Sequence, residues 1–434
     1  MSETTLLPEI RINGFKEAWK AYELKDLCSL ITKQTGFDYS ATIKPSLLRD
    51  GNENTYSFIQ NKDFLGTKIN LNTDFYIPKK IAEKFPNILL DRPSILISIS
   101  GKIGNAGLYK LSQKAFIGGA VGICKLTDEA DGLVTLYNLL SGAGQRYFQT
   151  LIKASSHSNI TVEDIRKIKI YLPSSNEEKN RIGTFFSGID EFISLNKAKL
   201  EKLSNLKKAM LEKMFPKQSA DVPEIRFKGF AGAWEKKQLG ETFAYISNNT
   251  LSRAQLNYEF GLAKNVHYGD VLIKFGELID AEKEELPFIT DNDLATKYKP
   301  AQLQNGDVII ADAAEDESVG KCCEVINVAN QIIVSGLHTI AIRPLQTFAP
   351  KFLGYFMNSV AYHSQLLRLM QGTKVLSISK TAIKETFIYF PSKIEEQEKI
   401  GSYFQNLDKT ISLHQTELEK LNNLKKACLE KMFV

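Results

Sequence analysis

A chain of 434 residues is too long for one ordinary core and suits two domains with connecting elements. A hydrophobic content of 43% and a charged content of 24% are those of a soluble globular protein, and no run of about 18 uncharged apolar residues offers a membrane span. A net charge of +5 permits a nucleic-acid partner without demanding one.

From the start, Met1-Ser2-Glu3-Thr4-Thr5 lacks the basic and apolar regions of a secretory signal. The first patterned segment is Pro8-Glu9-Ile10-Arg11, followed by Gly14-Phe15 and Ala18-Trp19. Residues 28–172 then read as a mixed lobe, with a short apolar strand at Ile95–Ile99 and a helix over Leu133–Leu140. From Ser174, three residues before Glu177, a capping-box signature opens a long helix. Its apolar stripe is Ile182, Phe186, Ile189, Ile193, Leu200, Leu203, Met210 and Met214, spaced by three, four and seven.

The whole arrangement then returns, with a period of about 216 residues. Pro223-Glu224-Ile225-Arg226, Gly229-Phe230 and Ala233-Trp234 repeat the opening segment. A second lobe over 240–390 carries a strand at Val308–Ile310, a helical stretch at Phe352–Leu369 and turn-like Gly-Asp pairs at 269–270 and 306–307. A second long helix follows from Ser392 and Glu395, with the stripe Ile400, Phe404, Leu407, Ile411, Leu418, Leu421, Cys428 and Met432. Aligning 173–215 with 391–433 gives about 25 identities in 43 positions, whereas 28–150 and 243–370 share little. A chain that keeps its connectors and changes its lobes is a scaffold carrying two different readers.

Each repeated helix spans about 38 residues, or roughly 57 Å. A narrow stripe of that length is a coiled-coil seam, so the two copies are expected to pack on each other. Because each lobe precedes its own helix, antiparallel packing gives approximate two-fold symmetry. Asn196 and His414 share one polar seam position, as a register-setting pair or as a partly solvated gap. The expected fold is α+β: two small mixed α/β lobes separated by a long antiparallel two-helix coiled coil, built as a pseudo-two-fold repeat.

No catalytic constellation stands out. Asp312, Glu315, Asp316 and Glu317 form an acidic cluster, but Lys321 has the wrong spacing for a strand-borne nuclease pair, and an exposed loop is the simpler expectation. Gly101-Lys102-Ile103 lacks the hydroxyl residue and preceding glycine of a phosphate-binding loop. Neither a dinucleotide fingerprint nor the Asn-Pro-Pro-aromatic segment of amino-methyltransferases is present, and the five histidines show no zinc-ligand spacing. The five cysteines form no disulfide or zinc pattern, so a reducing cytoplasm is expected. Cys322-Cys323 reads as adjacent strand residues, one facing in and one out, rather than a redox pair.

Two variable lobes, each followed by a helix that begins near Pro-Ser-x-x-Glu-Glu and ends in Leu-Glu-Lys-Leu-x-x-Leu-Lys-Lys, resemble the specificity subunits of type I restriction–modification systems. The residues carrying this are Glu177-Glu178 with Ile182, Glu395-Glu396-Gln397 with Ile400, and both helix ends. Ser100-Gly101-Lys102-Ile103-Gly104, and Gly372-Thr373 before Ile378, are similar to segments recurrent in target recognition domains. The first copy has Glu178-Lys179 where the second has Glu396-Gln397, the commoner family form.

The resemblance implies target recognition domains at 1–172 and 219–390, with spacer helices at 173–218 and 391–434. Each lobe would read one half of a split target in double-stranded DNA. Two methyltransferase subunits would clamp the assembly, and endonuclease–translocase subunits would join for restriction. The chain itself would need no cofactor, S-adenosylmethionine belonging to the methyltransferase. A coiled-coil adaptor that touches no DNA would explain the helices but not the divergent lobes, and a specificity subunit of a differently organised restriction system would share the same pattern.

By count, residues 28–172 hold about 18 basic and 12 acidic side chains, and 240–390 about 13 and 17. DNA contact in the second lobe therefore has to come from local patches rather than bulk charge. Base edges in the major groove are read by Arg, Lys, Asn and Gln, and acids accept from amino groups there. The candidates in the first lobe are Arg92, Lys102, Ser155, Ser156, His157 and Asn159; those in the second are Lys264, Asn265, His267, Tyr268, Thr373, Lys374 and Ser377. Thr373 and Ser377 align with Ser155 and Asn159, as one loop reused.

Overall fold

The computed structural model describes residues 7–154, 159–217 and 220–434. The chain divides into two compact units: Met1–Ala198 with Thr416–Val434, and Lys199–Gln415. Each unit therefore takes one lobe, the lobe-proximal half of its own long helix and the far half of the other.

In the first unit a six-stranded sheet runs in the order Cys28–Lys33, Val121–Leu126, Ser94–Ser98, Ala106–Tyr109, Lys68–Ile69 and Phe64–Leu65. A four-stranded sheet has the order Tyr76–Pro78, Thr55–Ile59, Ala115–Ile117 and Leu89–Leu90. Ser94–Ser98 is buried throughout, so the run Ser94-Ile95-Leu96-Ile97-Ser98 reads as apolar without alternation. One face packs with Trp19, Leu136 and Phe186, the other with Phe58 and Phe116.

The second unit follows the same plan. A five-stranded sheet is ordered Phe243–Ile246, Thr339–Pro344, Val308–Ala311, Cys322–Ile326 and Leu278–Asp280. A four-stranded sheet is ordered Leu256–Asn257, Phe288–Ile289, Lys264–Val266 and Ile333–Ser335. Cys322 and Cys323 are both wholly buried, against the expectation of one facing out. Their strand is covered on both sides, Cys322 packing in one core and Cys323 in another, and burial raises both thiols above their ordinary range. The stretch expected as one helix is two, Phe352–Met357 and Val360–Leu367, parted where Asn358 hydrogen-bonds the backbone of Cys322. Gly269-Asp270 lies inside the helix Tyr268–Ile273 rather than in a turn.

The long helices span Asn176–Lys213 and Ile394–Lys431, 38 residues each. The hydroxyl at the first helix start is that of Ser175, which accepts from the Glu178 amide at 3.4 Å; in the second copy Lys393 holds this place, so neither expected serine caps its helix. Glu178 instead receives a two-pronged bond from Arg11, Nε to Oε1 at 2.6 Å and Nη2 to Oε2 at 2.8 Å. The repeat reproduces this pair as Arg226 and Glu396, at 2.7 and 2.8 Å. Each ties the opening segment of a repeat to the start of its helix, and both glutamates are almost wholly buried.

Within the first unit Phe186 packs on Phe433 while Asp190 pairs with Lys425, so these helix segments run antiparallel. Within the second, Phe404 stacks on Phe215 and Asp408 pairs with Lys207, again antiparallel. Met432 and Phe433 enter the core containing Trp19, and Met214 and Phe215 that containing Trp234. Asn196 and His414 are both half-buried, and Asn196 donates to the Phe192 carbonyl at 3.1 Å.

Candidate nucleic-acid interface

In the first lobe the strands Ser94–Ser98 and Ala106–Tyr109 form a hairpin whose loop turns at Gly101 and Gly104, with φ of 74° and 88°. These are left-handed conformations in which glycine carries no Cβ penalty. Lys102 stands exposed at the tip. Asn159 forms an antiparallel bridge with Ser100, and the Ile160 amide donates to the Ile99 carbonyl at 3.1 Å. Asn61 donates to the Ser100 carbonyl at 2.7 Å. Lys102, Asn159 and Asn61 thus converge on one edge of the lobe. Arg92 does not join them, lying before the other end of the strand Ser94–Ser98, beside Asp91 at 3.8 Å. At about 3.3 Å of rise per residue that strand keeps it well away from the hairpin tip. Ser155, Ser156 and His157 lie outside the described residues.

The second lobe uses the same backbone frame. Ser377 pairs with Ala313, and the Ile378 amide donates to the Asp312 carbonyl at 2.9 Å, as Ile160 does to Ile99. The Asp312 amide donates to the His338 carbonyl at 3.1 Å, as Ile99 does to Ala120 at 3.0 Å. Gln371 and Ser377 exchange backbone hydrogen bonds at 3.0 and 2.8 Å, closing a loop that exposes Thr373 and Lys374. Gly372 at φ 118° allows this closure, because a Cβ there would lie 2.0 Å from the Val375 carbonyl oxygen.

Around that frame the second lobe gathers side chains the first lacks. His338 Nδ1 lies 3.3 Å from Asp312 Oδ1, and its ring meets Tyr268 edge-on at 5.3 Å. Burial raises the Asp312 carboxyl above its usual range, while His338 and Lys380 pull it down. Arg253 bonds Asp270 at 2.8 Å beneath the first turn of Tyr268–Ile273. Tyr268 therefore joins His338 and Asp312 at the edge where Ser377 pairs with Ala313, while Thr373 and Lys374 stand exposed on the adjoining loop. His338 and Arg253 were not legible as members, since neither sits in a motif and their partners lie far off in sequence.

The other candidates of this lobe are placed differently. Asn265 is wholly buried and presents no edge to a groove: its Oδ1 accepts from Asn249 at 2.7 Å, beneath Gly336. The polar run Lys264-Asn265 lies in a strand flanked on both sides in the four-stranded sheet, and the Asn265 Nδ2 is buried with no hydrogen-bond partner among the described residues. His267 is 7% exposed and caps the helix by accepting from the Gly269 amide at 3.2 Å; burial, with Arg253 adding, lowers its pKa. Lys264 begins its strand, bonded to Gln331 at 2.7 Å and lying over the Phe288 ring.

The two hairpin loops differ in charge at the same place in the fold. The first presents Lys102, and the second presents the exposed Glu315, Asp316 and Glu317. The lysine near that acidic loop, Lys321, is tied to the carbonyls of Leu272 and Phe275 at 3.0 and 2.7 Å. No group of three or more metal-ligating side chains occurs among the described residues. The arrangement is one of hydrogen-bonding groups and rings held at two loop edges.

Comparison with known proteins agrees with this architecture. The specificity subunit of the type I restriction enzyme MjaVIII from Methanocaldococcus jannaschii is 23% identical over 374 residues, 81% of this chain and 82% of that protein. A crystal structure of the type I restriction–modification S subunit from M. genitalium matches with a TM-score of 0.55 at 16% identity, covering 99% of both chains. A chain from a structure concerning complex assembly and conformational transition of the type I R-M system matches with a TM-score of 0.51 at 17% identity, covering 95% of this chain and 96% of that one. These two likenesses concern the fold. The family model for the type I restriction modification DNA specificity domain matches twice, over residues 16–205 and 232–423, and the chain belongs to that family.

Proposed function

We propose that this chain gives a type I restriction–modification complex its DNA sequence specificity, each lobe reading one half of a split target in double-stranded DNA. The observation that carries this reading is one repeated backbone frame with different side chains on it. The ladder joining Ile99, Ala120 and Ile160 recurs as Asp312, His338 and Ile378, yet the exposed groups around it differ in type and charge. Two halves of one target need such a pair of readers. Lys102 and Asn159 are the donors of the first lobe, and Tyr268, Thr373, Lys374 and Ser377 the polar groups of the second.

The chain itself neither methylates nor cleaves. Methyl transfer and its S-adenosylmethionine belong to two methyltransferase subunits, and cleavage to endonuclease–translocase subunits. Support for twofold binding comes from Leu195 and Leu413, and from Leu206 and Leu424, which occupy equivalent helix positions and are all exposed. Repeated patches suit identical partners. The complex works in the cytoplasm; no helix of the described residues is long and apolar enough to cross a membrane.

The test is replacement of residues 28–172 by the corresponding lobe of a relative, followed by sequencing of methylated sites in cells that carry the partner subunits. One half of the target changes and the other stays. A change in both halves, or in neither, overturns the reading.

A further inference from the structure

The second lobe holds one exposed side chain in an unusual backbone state. His338 has φ 53°, in the left-handed region that non-glycine residues occupy rarely, Asn, Asp and His being the most tolerant. The turn beneath it is pinned: Ser335 and Thr339 share a hydroxyl hydrogen bond at 2.6 Å, and Thr339 donates to the Gly336 carbonyl at 2.5 Å. The His338 carbonyl accepts from Asp312, its Nδ1 faces the Asp312 carboxylate, and Tyr268 lies against its ring. Backbone, carboxylate and aromatic edge together orient an imidazole whose side chain is 52% exposed. Such a locked but exposed group is arranged for a ligand rather than for the core.

In the neutral tautomer whose Nδ1–H donates to the Asp312 carboxylate, the other ring nitrogen, Nε2, carries a lone pair. Among the described residues nothing hydrogen-bonds that atom. In the major groove an outward acceptor matches the exocyclic amino group of adenine or cytosine. The first lobe has Ala120 in this place and offers no side chain there.

We propose that His338 is a specificity-determining residue of the second lobe, presenting Nε2 to the amino group of one adenine or cytosine in its half of the target, with Asp312 and Tyr268 as positioning residues. The inference rests on the DNA-reading function proposed above and deepens it.

The experiment selects bound duplexes from a randomised DNA library with the complex of this chain and its methyltransferase subunits. Two variants are compared with the parent. His338→Gly removes the ring and is at ease at positive φ, and His338→Asn keeps a residue tolerant of that backbone but is too short to reach. Both are expected to lose about tenfold of the preference at one A·T or C·G pair in one half of the motif, leaving the other half intact. Asp312→Asn weakens the same position to a smaller extent. A motif unchanged in both His338 variants, an equal loss at every position, or an affected position that prefers guanine on the contacted strand overturns the inference. A parent complex that selects no motif overturns the function itself, and the inference with it.

Discussion

Lys207 of the first long helix donates to Asp408 of the second at 2.6 Å, and the repeat returns the pair with the helices exchanged, Lys425 donating to Asp190. Each aspartate also accepts from a buried tyrosine of its own repeat, Tyr355 at 2.7 Å and Tyr137 at 2.8 Å. Burial beside a carboxylate raises both phenols above their usual range. Every repeat thus lends a lysine to the aspartate and tyrosine of the other, a reciprocal lock specific to an antiparallel pairing of the two copies.

The two locks are not equally insured. Lys207 has a second carboxylate, Glu277 at 2.8 Å, whereas among the described residues Asp190 is the one carboxylate that Lys425 pairs with, and Asp190 also accepts from Thr67 at 2.8 Å. Removing one charge of a largely buried pair leaves the other unpaired, which is the costly event. Asp190→Asn is therefore expected to cost about 2 kcal/mol and Asp408→Asn about half that. Denaturation read by hydrogen exchange in each lobe measures both; equal costs would mean that Glu277 gives Lys207 no support.

Alanine at Lys102, Asn159, Lys374 and Ser377 tests the loop edges directly. Where a base contact is lost, specific binding by the assembled complex weakens by about 1–3 kcal/mol while nonspecific binding holds. Equal weakening on all sequences assigns the residue to phosphate. No weakening at any of the four positions removes these loops from the DNA.

The repeat made most of the architecture readable from sequence, because the conserved pieces are local: helix starts, seams and helix ends. Reciprocity between Asp190 and Lys425 was not readable, although both residues recur in the repeat, since the partner of each is set by packing across a long sequence separation. The same holds for Arg11 and Glu178, which look like two unrelated conserved charges until the fold joins them. The interface was only half legible. Loop residues such as Lys102 and Thr373 advertise themselves by turn glycines, but Asn265 has the same polar character and is buried, and His338 has no sequence cue at all. Burial is decided by the sheet that covers a strand, which local pattern does not specify.

Stability of the second lobe should fall as pH rises through the weakly acidic range. Glu324 is wholly buried in the strand Cys322–Ile326, and its carboxyl accepts from the amides of Lys351 and Gly354 at 2.6 and 2.9 Å. Burial outweighs those bonds and pushes its pKa up to about 7. In the unfolded chain the group titrates near the ordinary glutamate value of about 4.3, so between these values the folded state binds more protons. Its contribution is complete below the unfolded value and is lost as pH rises through the folded one, a change on the order of 3–4 kcal/mol. Denaturation between pH 4.5 and 8 should show this slope in the parent and a flatter one in Glu324→Gln. An unaltered slope in the variant assigns the pH dependence elsewhere.

The helices offer a test of whether they set the spacing between target halves. Asp190 and Lys207 stand as far apart along the first helix as Asp408 and Lys425 along the second. A heptad inserted between Ser204 and Leu206 alone lengthens the first interval and not the second, so one lock must break for the other to hold. That insertion is expected to destabilise the chain. A matched pair of heptads, one after Ala198 and one after Thr416, lengthens both intervals equally and keeps the seam in phase. Each adds about 10 Å of helix at 1.5 Å per residue. If the helices are the ruler, the matched insertion lengthens the spacer of the methylated target by about three base pairs, at 3.4 Å of rise each, and leaves the sequence of both halves unchanged. Sequencing of methylated sites decides it: an active double-insertion variant with the parental spacer means that the distance is set by the partners and not by this chain.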